Sequence, residues 1–254
     1  MIKYWFLTGD CHGRIAERLE NIQRNTEHLP PEETAVIILG DAGANFWLNG
    51  SDRNVKKKAS RFGYTIYCLR GNHDARPADL NYSIEWDDNV GGEVYLDPEF
   101  SCFRYLIDGG EYTIANKSIL AIGGAYSVDK WYRLKRAEIT GDYAGWFPNE
   151  QLSAEERAEI LEKVRGNSYD VVFTHTCPYS WRPVDLFLPQ VDQSTVDNTM
   201  EEWLEDVKNS ITWGIYCFGH YHADRIERER VHQFYNSYIL LQDLFSFWGL
   251  DKND

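Results

Sequence analysis

Metal-binding residue types recur in this sequence at the points where apolar, strand-like segments end. The segments are FLTGDCHG, IILGDAG, CLRGNHD, VVFTHTCP and YCFGHYH, and they carry Asp10, His12, Asp41, Asn72, His73, Asp74, His175, His220 and His222. Turn chemistry accounts for aspartate, asparagine and glycine after a strand. It does not account for histidine, yet five of the seven histidines lie at these strand ends.

The spacing within these segments favours metal coordination. Asp10 and His12 are two residues apart, so on an extended segment both side chains face the same side, and the same holds for His220 and His222. Carboxylate, amide and imidazole ligands without thiolates suit Mn, Fe or Zn better than a cysteine-rich zinc site or an all-oxygen cage. The set is larger than one ion needs.

The elements that must position these residues follow from the periodicity. Strand-like and helix-like segments alternate in residues 3–71, which predicts a parallel α/β sheet whose carboxyl ends share one edge. Ligands bind at that edge in open α/β sheets. Residues 93–125 read as short strands with a hairpin at DGGE (108–111), and residues 126–151 as a long inserted loop rich in aromatic and basic side chains. We expect a single domain over residues 1–254.

Composition limits the partners. The formal charge of −14 disfavours non-specific binding to nucleic acid or to an anionic membrane. The N-terminal apolar stretch is too short for a signal peptide, and no segment approaches the length that spans a bilayer, so we expect a cytoplasmic protein. Five widely spaced cysteines argue against a disulfide framework. The oligomeric state is left open.

Taken in order, the motifs D-x-H, GD, GNH-[DE], H and GH-x-H resemble the calcineurin-like metallophosphoesterase superfamily. The similarity extends from Asp10 to His222, and AIGGAYSVDKWYR (121–133) is similar to a group of small bacterial and phage members. The resemblance implies an α/β fold with two facing mixed β-sheets, a sandwich flanked by helices, and a metal site at the carboxyl ends of the strands.

The resemblance also implies roles for individual residues. It implies two divalent ions, with Mn expected and Fe or Zn as alternatives, and hydrolysis of a phosphate ester by metal-activated hydroxide. The first ion would take Asp10, His12 and His222, the second would take Asn72, His175 and His220, and Asp41 would bridge them. His73 would act as the general acid for the leaving oxygen. Asp74 would either orient an imidazole or remain a solvated turn carboxylate.

One motif departs from the phosphoprotein phosphatase pattern G-D-x-V-D-R-G. The segment here is GDAGANF, which places Ala44 and Asn45 where that branch has an aspartate and a phosphate-binding arginine. A phosphoprotein phosphatase is therefore the alternative, and a small phosphodiester or phosphomonoester is the expected substrate. A non-catalytic scaffold is less favoured because every ligand position is intact. Arg14, Arg76 and Arg133 are the candidate substrate contacts.

Overall fold

The structure is a computed structural model that describes residues 1–250, and two mixed β-sheets form its centre. The first sheet has the order β13-β1-β2-β3-β6-β5-β4, with parallel pairing from β1 to β6 and antiparallel strands at its edges. Its strands are β1 (Tyr4–Thr8), β2 (Thr34–Ile38), β3 (Thr65–Cys68), β4 (Ser83–Asp87), β5 (Gly92–Leu96), β6 (Phe103–Leu106) and β13 (Tyr238–Leu240).

The second sheet has the order β11-β12-β10-β9-β8-β7, and its central strands are again parallel. Antiparallel pairs close it at both edges. Its strands are β7 (Gly110–Ile114), β8 (Lys117–Ile122), β9 (Ser168–Thr174), β10 (Thr212–Phe218), β11 (Arg225–Arg228) and β12 (Val231–Gln233).

Alternation along the strands explains why the sheets face each other. Leu7 and Ile37 of the first sheet pack with Val171 and Phe173 of the second in one buried core, whereas the intervening residues point outwards and are covered by helices. The helices are α1 (Ile15–Asn25), α2 (Gly50–Ala59), α3 (Lys130–Thr140), α4 (Ala154–Val164), α5 (Thr199–Ser210) and α6 (Leu241–Phe247). The first two cover one outer face and α4 and α5 cover the other. The predicted sandwich flanked by helices is confirmed.

Two local predictions were wrong. Residues 126–151 contain the helix α3, which was missed because none of its residues is buried and the sequence therefore carries no apolar periodicity there.

The segment DGGE is not a hairpin, because β6 and β7 lie in different sheets and this segment crosses between them. The hairpin lies between β7 and β8, where Ala115 and Asn116 have φ angles of 49° and 61°.

None of the helices within residues 1–250 is long and apolar enough to cross a membrane.

Candidate active site

The carboxyl ends of five parallel strands bring the predicted ligands together. Three of these strands, β1, β2 and β3, belong to the first sheet, and β9 and β10 belong to the second. The residues that follow them are Asp10 and His12, Asp41, Asn72 and His73, His175, and His220 and His222. The site therefore lies across one end of the sandwich, and both sheets contribute to it.

The first cluster consists of Asp10, His12 and His222. The Oδ2 atom of Asp10 lies 3.3 Å from His222 Nε2 and 3.7 Å from His12 Nε2. The two imidazole Nε2 atoms are 2.9 Å apart. Asp10 is buried, and its Oδ2 accepts no hydrogen bond. A buried carboxylate oxygen without a donor, facing two imidazole nitrogens, is the environment of a cation ligand.

The second cluster consists of Asp41, Asn72 and His175. The Nδ1 atom of His175 donates to the Leu39 carbonyl oxygen over 2.7 Å, which leaves Nε2 facing the site. That Nε2 lies 3.0 Å from Asn72 Oδ1 and 3.6 Å from Asp41 Oδ1. With a neutral imidazole, all three atoms are acceptors and no hydrogen lies between them. The donor set therefore fits a divalent metal ion with mixed oxygen and nitrogen ligands.

Burial favours the neutral form of two histidines. It lowers the pKa of His220 well below its usual value and also lowers that of His12. The neighbouring Asp10 carboxylate instead raises the pKa of His222. His220 also fixes Asp10, because its backbone N–H donates to Asp10 Oδ1 over 3.0 Å. A neutral imidazole is the form that binds a metal.

The backbone at the site is held in an uncommon conformation. His12, Asp41, His220 and His222 have φ angles of 45°, 48°, 67° and 54°, in the left-handed region that non-glycine residues rarely occupy. Such angles cost of order 1–3 kcal/mol each and cluster at functional sites. The rest of the fold offsets this conformational cost, and the side chains of these four residues face the site.

Glycines allow the ligand segments to approach each other closely. A Cβ atom at Gly71 would lie 1.9 Å from Asp41 Oδ1, and one at Gly40 would lie 2.1 Å from His175 Nδ1. Each of these glycines directly precedes a site residue, and its missing side chain makes room for a ligand from a neighbouring strand. The glycine in the GD and GN motifs therefore serves packing between ligands as well as the turn.

Comparison with known families agrees with this geometry. The sequence profile described as calcineurin-like phosphoesterase matches residues 6–224. The chain belongs to the calcineurin-like phosphoesterase family. Members of this family are usually metal-dependent phosphoesterases that bind two divalent ions. In this chain two groups, Asp10 with His12 and His222 and Asp10 with Asp41 and His175, have ligand atoms close enough together to hold a metal ion. No curated protein matches the chain significantly.

His73 lies beside the second cluster. Its backbone N–H donates to Asp41 Oδ1 over 2.8 Å, and its Nε2 lies 4.0 Å from Asp41 Oδ2. The Nδ1 atom is buried without a hydrogen-bond partner. The Nε2 atom also lies 3.3 Å from Asn72 Nδ2, so this side of the ring faces the second cluster.

The environment of Asp74 differs from both of the environments that we expected for it. It is buried, and it accepts hydrogen bonds from the backbone N–H groups of Ala42, Gly43 and Gly71 at 3.3, 3.3 and 3.0 Å. It is thus neither a solvated carboxylate nor the partner of an imidazole. Burial and the nearby Asp41 charge raise its pKa to about 6. Its contacts tie the segment after β2 to the segment after β3.

The predicted arginines separate into two groups. Arg14 and Arg133 line a cleft of about 1090 Å³ above the clusters, and so do Arg136 and Arg182. Arg76 is not among the residues that line the cleft. It pairs with Glu156 and donates hydrogen bonds to the backbone carbonyl oxygens of Asn149 and Gln151. A substrate contact from Arg76 is therefore not supported, because its guanidinium joins α4 to the turn after β3.

Asn45 occupies the place of the missing phosphate-binding arginine, and it points into the protein. Its Oδ1 accepts from Lys56 Nζ over 2.7 Å and from the Tyr82 hydroxyl over 3.0 Å. Lys56 also pairs with Asp97 at 2.6 Å, so the cation in this region is buried in a structural network. Asn45 carries no charge, and the charge of Lys56 is not available to a substrate.

Two site residues could not be found from the sequence. The Ser127 hydroxyl donates to Glu150 over 2.6 Å and accepts from Asn72 Nδ2 over 2.8 Å. These two hydrogen bonds fix the amide of Asn72 so that its oxygen, and not its nitrogen, faces the second cluster. Neither residue type indicates a site role at these positions, because the role depends on the tertiary contact.

Proposed function

We propose that the protein hydrolyses phosphate esters at a pair of divalent ions, with a small phosphodiester or phosphomonoester as substrate. Asp10, His12 and His222 would hold one ion, Asn72, His175 and His220 the other, and Asp41 would bridge them. The observation that carries the proposal is the second cluster, where His175 Nε2 lies 3.0 Å from Asn72 Oδ1 and 3.6 Å from Asp41 Oδ1, so that one nitrogen and two oxygen ligands converge. Manganese is the expected metal, with iron or zinc as alternatives.

Bound divalent ions would supply positive charge that polarises the phosphoryl group and lowers the pKa of water. The residues of this chain would bind the ester and transfer the proton. In the net reaction a bond forms between water oxygen and phosphorus, the ester P–O bond breaks, and one proton passes to the leaving oxygen. His73 Nε2 would deliver that proton, and the proton lost by water would restore the imidazolium.

Arg14 and Arg133 are the proposed contacts to the phosphate and its substituents, because both line the cleft. A diester carries one negative charge, whereas a monoester dianion demands more cationic contacts. Since Asn45 and Lys56 are buried in their own network, the site supports diesters somewhat better. A phosphoprotein phosphatase remains the second candidate, supported by the size of the cleft.

The deciding experiment compares turnover of p-nitrophenyl phosphate and bis(p-nitrophenyl) phosphate with added Mn²⁺. We expect hydrolysis by the wild-type protein and a loss of at least about 100-fold in Asp41→Asn and His175→Ala, since each removes a ligand. Elemental analysis of the same samples should show metal in the wild type and depletion in both variants. Unchanged turnover in the variants would contradict the assigned ligands, whereas wild-type protein that binds no metal and hydrolyses neither ester would support the scaffold instead.

A further inference from the structure

The cleft is larger than a phosphoryl group needs. Its volume of about 1090 Å³ is at the upper end of the ~300–1,000 Å³ typical of sites for whole small molecules. The metal clusters occupy its base, and the remaining surface is provided by α3, by the segment after β2 and by residues 182–198. The cleft therefore has room for a substantial group beyond phosphorus.

Three aromatic side chains form one continuous surface in this cleft. The ring of Phe46 lies 4.8 Å from that of Trp47 and 6.3 Å from that of Tyr143, and the last two rings are 6.2 Å apart. Trp47 and Tyr143 remain 46% and 41% exposed. They come from separate segments, so the fold assembles an aromatic surface and leaves it open to the cleft. Exposed apolar surface of this kind commonly marks a ligand site.

This aromatic surface adjoins the proposed proton donor. The ring of Phe46 meets that of His73 edge to face, with centroids 5.8 Å apart and planes at 87°. A general acid lies next to the oxygen that it protonates. The group attached to that oxygen must then extend over Phe46 towards Trp47 and Tyr143.

Positive charge borders the same surface. The guanidinium of Arg133 lies 5.9 Å from the Phe46 ring and is fixed by hydrogen bonds to Asp129 at 2.7 Å and to the Gly145 carbonyl at 3.2 Å. Arg136, one turn later on α3, also lines the cleft. Flat, electron-rich rings stack on aromatic and guanidinium planes.

We propose that Phe46, Trp47 and Tyr143 form a subsite for a planar aromatic ring on the leaving group of the ester. The inference rests on the proposed function for its direction, because His73 defines the leaving-group side. The ring could be joined directly to the ester oxygen, as in an aryl ester, or through a sugar, as in a nucleoside ester. The shared chemistry is the planar ring.

Other tryptophans serve as controls. Among the described residues that line the cleft, neither Trp131 nor Trp146 is present. The Trp146 ring is covered by Lys130 Nζ at 4.4 Å, and Trp131 is 63% exposed on α3. A stacking role for Trp131 or Trp146 is therefore not supported, and Trp131→Ala is a matched control for Trp47→Ala.

The test measures binding by calorimetry in the presence of Mn²⁺, with probes that differ in the ring. Phenylphosphonate is compared with methylphosphonate, and adenosine 5′-monophosphate with ribose 5-phosphate. We expect Trp47→Ala and Tyr143→Ala to weaken binding of the ring-bearing probe in at least one pair by about 5- to 100-fold. Its ringless partner should bind as in the wild type, as should every probe to Trp131→Ala. The pair with the larger loss identifies the aryl or the nucleoside source.

Equal loss for ringed and ringless probes, no loss in either variant, or the same loss in Trp131→Ala would overturn the subsite. Circular dichroism of each variant establishes that it is folded. Because binding needs no turnover, the two proposals can fail separately. Wild-type protein that turns over esters without ring dependence contradicts the subsite alone, whereas ring-dependent binding without turnover of any ester contradicts the hydrolase.

Discussion

His12 and His222, 210 positions apart in the sequence, point their Nε2 atoms at each other across 2.9 Å. Asp10 Oδ2 lies within 3.7 Å of both nitrogens and accepts no hydrogen bond. Two lone pairs and a carboxylate oxygen in such proximity are stable only around a proton or a metal ion. A metal ion bound to these three atoms would join the first and last motifs of the site.

Metal should therefore stabilise the folded protein. We expect Mn²⁺ at about 100 times its dissociation constant to raise the Tm by roughly 5–10 °C, with EDTA reversing the change. Asp10→Asn should abolish most of this increase, because it removes the charge of the first cluster. Asp206→Asn, at an exposed position on α5, is the control and should keep it. Differential scanning calorimetry measures both, and equal increases in the two variants would contradict the assigned cluster.

We expect Ser127 to affect metal binding through its hydrogen bond with Asn72. Ser127→Ala removes the acceptor of the Asn72 Nδ2 hydrogen bond and frees the amide to rotate. We expect the affinity for the more weakly bound ion to fall by about 10- to 100-fold. Calorimetric titration of metal-free protein measures this without reference to activity. Ser118→Ala, which removes a hydroxyl bonded to Asp170 away from the site, should titrate like the wild type.

The clustering of these aspartate, asparagine and histidine side chains was predictable because histidine has no role in an ordinary turn, so its recurrence after apolar segments carried information. Ser127 and Glu150 were not, because serine and glutamate are common on any surface, and only the tertiary fold brings them to Asn72. Asp74 illustrates the same limit. Its residue type indicated a site role, but its three backbone partners lie on two segments that only folding brings together.

The family resemblance implied the sandwich, whereas the periodicity of residues 3–71 predicted only a parallel α/β sheet. The helix α3 was not predicted at all. A helix is visible in a sequence through the face it buries, and α3 buries none. Its contacts are polar, such as the pair between Arg133 and Asp129 one turn earlier. The proposed aromatic subsite was hidden in the same way, since Phe46 and Tyr143 are almost 100 positions apart in the sequence.

Gly71 offers a test of the packing between ligand segments. Gly71→Ala would place a Cβ atom 1.9 Å from Asp41 Oδ1 and 2.3 Å from the Asp41 nitrogen, so the two segments must separate. We expect a loss of roughly 2 kcal/mol or more in the free energy of unfolding, together with loss of bound metal. Gly50→Ala is the control, because nothing lies within 4 Å of its added Cβ atom. Urea denaturation and elemental analysis measure the two effects.

The role of His73 should show in the dependence on the leaving group. His73→Ala should lower kcat on an alkyl phosphate ester by about 100-fold or more, because an alkoxide leaves poorly without a proton. With a p-nitrophenyl ester, whose phenolate leaves readily, the loss should be less than about tenfold. Metal content should stay at the wild-type level, and His28→Ala serves as the surface control. Equal losses on both esters would indicate that His73 only supports the metal ligands.

The last prediction concerns Glu201, a 4% exposed carboxyl on α5. It accepts from the Thr176 hydroxyl over 2.7 Å, and that hydroxyl lies 3.0 Å from the hydroxyl of Tyr221, so the contact supports the segments after β9 and β10. Burial raises the pKa of Glu201 to about 7. The folded protein therefore keeps this proton up to about pH 7, whereas the unfolded chain releases it near its ordinary value of about 4.3.

The folded state binds more protons than the unfolded state between these two values, so this group lowers the free energy of unfolding as the pH rises through that interval. Glu201→Gln keeps a hydrogen-bond acceptor for Thr176 and removes the titration. We expect the difference in free energy of unfolding, variant minus wild type, to increase by roughly 1–3 kcal/mol from pH 5 to pH 8. Urea denaturation of metal-free protein at both pH values measures it. Glu202→Gln, at the exposed neighbouring position, should show no such change, and a constant difference for Glu201→Gln would mean that the carboxyl titrates normally.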